Sequence, residues 1–123
     1  MTRVDPILRI AQRPYAARRL SPEDRAVFTL LIQLRRRAGE PSSIEIFDST
    51  PWQSALFQGQ RAIFNLEFAG ENYAERAEAF AGAMGSIDWP LPGYFVADIT
   101  LDSMHAGIVG TELRLSALII KDW

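Results

Sequence analysis

The chain has no cysteine, a single histidine (His105) and a single lysine (Lys121). Without cysteine there are no disulfides, thiolate metal sites or cysteine nucleophiles, and the redox compartment is left open. Long hydrophobic runs are also missing. No stretch approaches the length needed to span a bilayer. Arg3, Asp5 and Arg9 interrupt the apolar residues of the first ten positions, so no signal-peptide core forms there. A cytoplasmic protein without a membrane partner is the default expectation.

Motifs that carry chemistry are equally scarce. Nothing resembles the nucleophile elbow of serine hydrolases. Gly107-Ile-Val-Gly110 lacks the further glycine and the Lys-Ser/Thr pair of a phosphate-binding loop. Nothing in the sequence calls for a metal or a cofactor.

What is present fits one domain over 1–123. The 123 residues are 48% hydrophobic and 23% charged, enough for a core without staples. The net charge of −2 hides an asymmetry. Residues 1–40 carry nine Arg against four acids, a net +5, and residues 41–123 carry four bases against eleven acids, a net −7. Arg supplies all the basic residues but Lys121, and its planar fork favours fixed pairing with carboxylates or phosphates. Such a split permits nucleic-acid contact through Arg9, Arg13, Arg18, Arg19 and Arg35 to Arg37. It equally permits the basic part to dock on the acidic part, in the same chain or a neighbour. The acidic total favours docking, which leaves nucleic acid the least favoured partner.

Residues 1–20 read as a basic arm or an edge strand around Val4, Ile7, Leu8 and Ile10. The next element is a helix. Ser21 is placed as N-cap, Pro22 at the first helical position, and Glu23 and Asp24 in the first turn. Val27, Leu30, Leu31, Leu34 and Ala38 recur at helical spacing, and Gly39 with Pro41 ends the run. Ser43 to Asp48 reads as a short strand, closed by turn chemistry at Asp48-Ser-Thr-Pro51. Arg61 to Phe68 alternates strictly, with Ala62, Phe64, Leu66 and Phe68 inward. A second helix is expected from Glu71 to about Met84, facing inward through Tyr73, Ala77, Phe80, Ala81 and Met84. Its polar face would hold Glu71, Glu75, Arg76 and Glu78.

A proline-fixed connection, Ile87 to Gly93, leads into two period-2 runs that predict a long hairpin. In the first run Phe95, Ala97, Ile99 and Leu101 are expected inward; in the second, Leu113, Leu115, Ala117 and Ile119. The order is helix–strand–strand–helix–strand–strand. It predicts an α+β two-layer sandwich: an antiparallel-rich sheet with two helices on one face, ferredoxin-like or a permuted variant.

Two sets of candidate residues follow. Asp98, Thr100 and Asp102 share a strand face, and His105 follows in the loop. Asp98 and Asp102 are about 13 Å apart on a regular strand at roughly 3.3 Å per residue, too far for a carboxylate dyad. Asp102 and His105 remain as catalytic candidates, an acid–base pair or two ligands of a divalent metal. Trp89, Tyr94 and Asp98 are candidates for lining a ligand site. The second set is apolar: Phe47, Ile63, Val96, Leu118 and Ile120 fall on the face away from the predicted helices, a patch that needs covering. The chain therefore reads as a non-catalytic protein that self-associates, a homo-oligomer or assembly component working through this face. The alternatives are a small-ligand-binding protein or small enzyme near Asp98, Asp102 and His105, and weak nucleic-acid binding through the Arg-rich first third.

Overall fold

The computed structural model describes residues 20–122. The basic arm or edge strand expected in residues 1–19 lies outside the described residues. Six main elements follow in order: α1 (Pro22–Ala38), β1 (Ser42–Gln53), β2 (Gln58–Ala69), α2 (Tyr73–Ala83), β3 (Tyr94–Ala106) and β4 (Gly110–Lys121). A short 3-10 turn, Met84–Ser86, extends α2. Over the described residues the fold is α+β, a four-stranded antiparallel sheet plus two helices.

Helix α1 forms where its caps demand. The Ser21 hydroxyl accepts the Asp24 amide at 3.0 Å, Pro22 needs no donor partner, and Glu23 and Asp24 lie at the positive end of the dipole. Val27, Leu30, Leu31, Leu34 and Ala38 are buried, as the spacing requires. Helix α2 begins at Tyr73, two residues later than expected, because Asn72 takes the left-handed conformation (φ 57°). Arg76 is not on a solvated face. Its guanidinium donates to the carbonyls of Ala69 (2.7 Å) and Pro41 (3.1 Å), tying α2 to the end of the β1–β2 hairpin.

The strands lie in the order β1-β2-β4-β3, each neighbouring pair antiparallel. Among the described strands β2 and β4 are central, and β1 and β3 are edges. On one face, the rung Ile46–Phe64–Leu115–Leu101 crosses all four strands, flanked by Ala62 opposite Ala117 and Leu66 opposite Leu113. These residues form one core with Ala26, Val27, Leu30, Leu31 and Leu34 of α1 and Ala77 and Phe80 of α2. Phe68 packs on Phe80 with ring centroids 5.7 Å apart. The alternation expected in β2 and β4 is therefore the one observed.

Two expectations need correction. Asp48 to Pro51 is not a turn: β1 runs on to Gln53 through a bulge at Phe47, and the turn lies at Ser54–Phe57, where the Ser54 amide donates to the Phe57 carbonyl at 2.8 Å. Pro51 is tolerated because β1 is an edge strand, where a missing N–H can face outward. Val96 does not lie on the outer face. It packs against the core with Ile99 and Leu101, while Phe95 sits opposite Ile120 and is 39% exposed. A bulge between Val96 and Asp98 adds one residue, and with a period of two one extra residue exchanges the faces.

Candidate functional site

The register builds the outer sheet face, opposite the core, as five rungs written from β1 to β3. They are Ser43–Glu67–Glu112–His105, Glu45–Asn65–Arg114–Ser103, Asp48–Ile63–Ser116–Thr100, Thr50–Arg61–Leu118–Asp98 and Trp52–Gly59–Ile120–Phe95. Three bulges, at Phe47, Ala97 and Asp102, each add a residue to an edge strand. The face is therefore graded. It is acidic at the rung of Glu67 and Glu112, polar in the middle, and apolar at the rung of Trp52, Ile120 and Phe95.

The polar middle is built around Arg114. Its Nε donates to Asn65 Oδ1 at 3.0 Å, and its guanidinium carbon lies 3.8 Å from the centre of the Phe47 ring. The side-chain amide of Asn65 in turn donates to Glu45 at 3.4 Å, and Asn65 is only 6% exposed. A buried polar side chain costs free energy unless its hydrogen bonds are made, and here both ends of the amide are used. Sequence reading placed Asn65 on the outer face, but nothing in the strand pattern signalled that it would be buried.

Asp102 and His105 are not brought together. Asp102 Oδ1 accepts from the Ser116 hydroxyl at 3.0 Å and the Thr100 hydroxyl at 3.4 Å. His105 lies opposite Glu112, with the Ser103–Arg114 rung between it and that cluster. Asp98 is exposed opposite Leu118. Among the described residues no group of three or more His, Asp or Glu could hold a metal ion.

Of the three ligand-site candidates, Trp89 and Tyr94 stay together and Asp98 separates. Trp89 is buried and its indole N–H donates to the Met84 carbonyl at 3.2 Å, the position of a packing residue. Trp89 and Tyr94 do line one groove of about 670 Å³, together with Ile87, Leu91, Phe95 and Val96. Asp98 does not line it. Tyr94 also borders a second groove of about 330 Å³ beside Ser21, Glu23, Trp52, Gln60 and Lys121. Burial pushes the Tyr94 phenol above its usual range, and the Glu23 carboxylate that accepts its hydrogen bond pushes the same way; Arg25 opposes both.

Four of the five expected interface residues occupy the outer face: Phe47, Ile63, Leu118 and Ile120. Phe95 stands where Val96 was expected. Ile120 is 6% exposed, yet it lies outside the helix-side core. Of the expected nucleic-acid residues, Arg35 to Arg37 are exposed in the last turn of α1, with Arg35 paired to Glu40 at 2.7 Å. Arg9, Arg13, Arg18 and Arg19 lie outside the described residues. No described helix is long and apolar enough to cross a membrane. In comparison with known proteins the chain matches no family model, no curated protein and no solved structure.

Proposed function

We propose that the chain is a non-catalytic association protein that self-associates, or joins an assembly, through its outer sheet face. The observation carrying this reading is the graded face itself. Both described helices bury the opposite side, whereas Phe47, Ile63, Phe95, Leu118 and Trp52 on this side keep part of their surface in water. A contiguous apolar patch ringed by charge is a common mark of an association surface. The edges favour the face over strand addition. β1 carries a bulge and Pro51, and β3 carries two bulges, devices that discourage pairing at an open edge.

The fold reading is compatible. Moving the first strand of a β-α-β-β-α-β plait to the C-terminus generates the order β1-β2-β4-β3 with all pairs antiparallel. This relabelling supports a permuted ferredoxin-like arrangement in two layers, whose outer sheet face is covered by neither described helix.

Light scattering after size exclusion tests the proposal. The wild-type chain is expected to form an oligomer at micromolar concentration. Leu118→Glu is expected to shift it to monomer with an unchanged far-UV spectrum and a melting temperature within a few degrees of wild type. A strict monomer, unaffected by concentration or salt, overturns the reading.

A further inference from the structure

We infer that the chain's own first nineteen residues dock on this outer face and compete there with its partner. The competition rests on the association reading above; the docking does not. Charge carries the first step. The register puts Glu45, Asp48, Glu67, Asp98, Asp102 and Glu112 on the face against Arg61 and Arg114, six acids and two bases, a net −4. Residues 1–19 hold Arg3, Arg9, Arg13, Arg18 and Arg19 against Asp5, five bases and one acid, a net +4. Opposite fields of this kind steer two surfaces together and suppress wrong pairings.

Apolar chemistry matches as well. Val4, Ile7, Leu8 and Ile10 supply aliphatic surface to cover Phe95, Leu118 and Ile63, which keep part of their surface in water. The grading of the face gives that contact a place, at the Trp52–Ile120–Phe95 end.

Connectivity brings the segment to that end. Ser21, where it joins α1, borders the same groove as Trp52, Gly59, Tyr94 and Lys121, and Gly59 belongs to the apolar rung. From Gly59 to Glu67 the face is about 27 Å long at roughly 3.4 Å per residue. Nineteen residues cover about 28 Å even at the helical rise of 1.5 Å, so the segment can reach every rung. Attachment raises its local concentration to the millimolar range, which a second copy in dilute solution does not match.

The absence of cysteine makes the test clean. Ala11→Cys in the full chain gives one site for a nitroxide label, and amide resonances report which residues it approaches. Broadening is expected at Asn65, Arg114 and Ser116 in dilute protein, with Arg36 and Glu78 on the helices unaffected. No broadening, or broadening confined to the helices, overturns the docking. Broadening that appears only when labelled and isotope-enriched chains are mixed also overturns it, because the occupant is then another copy's segment.

Competition is read from a second full-length variant, Arg3→Glu with Arg9→Glu and Arg13→Glu. A segment docked nine-tenths of the time leaves about a tenth of the faces free, so pairing that needs two free faces weakens about a hundredfold, and this variant is expected to self-associate about a hundredfold more tightly. Unchanged association alongside lost broadening overturns competition. If neither wild type nor variant associates, the association reading falls while docking seen by broadening stands.

Discussion

Thr111 is 1% exposed and its hydroxyl has no hydrogen-bond partner among the described residues. The residue lies opposite Phe68 on the core side of the sheet. An unsatisfied buried hydroxyl is a net cost, and valine has nearly the same shape without it. Thr111→Val is therefore expected to be neutral or to stabilise the chain by up to about 1 kcal/mol, measured by urea unfolding; a clear loss of stability would show that the hydroxyl is satisfied. Tyr94 presents the opposite situation, a buried phenol that donates to Glu23. Its folded-state pKa lies above the ordinary value of 10.0, so the folded chain holds this proton more tightly than the unfolded chain. The resulting stability is fully present below pH 10 and is lost as pH rises through the raised value. Unfolding followed across this range is expected to show a steeper alkaline decline for wild type than for Tyr94→Phe, and equal slopes would contradict the argument.

At the scale of elements, α1 was legible because its determinants are local: a cap, a proline, two acids and five apolar residues at helical spacing. Strands β2 and β4 were legible for a similar reason, since central strands with one buried face must alternate. The edge strands were not. A bulge depends on which residue the neighbouring strand presents, and no pattern within Tyr94–Ala106 marks Ala97 or Asp102 as the extra residue. One glycine shows how tightly the central pair is built. A β-carbon on Gly59 would lie 1.9 Å from the carbonyl oxygen of Ile119, and the obstacle is backbone. Gly59→Ala is expected to cost at least about 2 kcal/mol by overpacking. Thermal unfolding of Gly59→Ala beside Gly85→Ala, which meets nothing within 4 Å, separates this clash from general glycine effects. The hairpin tip is held differently: the Tyr73 hydroxyl reaches the carbonyls of Gly107 (2.7 Å) and Ile108 (2.9 Å), a contact across more than thirty residues that sequence alone does not reveal.

For the molecule as a whole, the outer apolar set was legible as a class and largely by position. The sequence could not show that Arg114 stacks on Phe47 and holds Asn65 beside that patch, because cross-strand partners are fixed only when the strands are ordered. The partners of Asp102 and His105 were hidden for the same reason: Asp102 accepts from Ser116 and Thr100, and His105 lies opposite Glu112. The proposed face-to-face association, together with the blunted edges of β1 and β3, predicts a closed two-fold pair and no fibres. The strand order has a further, kinetic consequence. Each hairpin joins neighbours in sequence, but the central β2–β4 ladder links residues 41 apart (Ala69 with Gly110) to 61 apart (Gly59 with Ile120). Two hairpins can zip quickly, whereas joining them must first close that long loop. The encounter of the chain's two halves is thus the expected slow step in folding, and substitutions along the seam between them are expected to change the folding rate most.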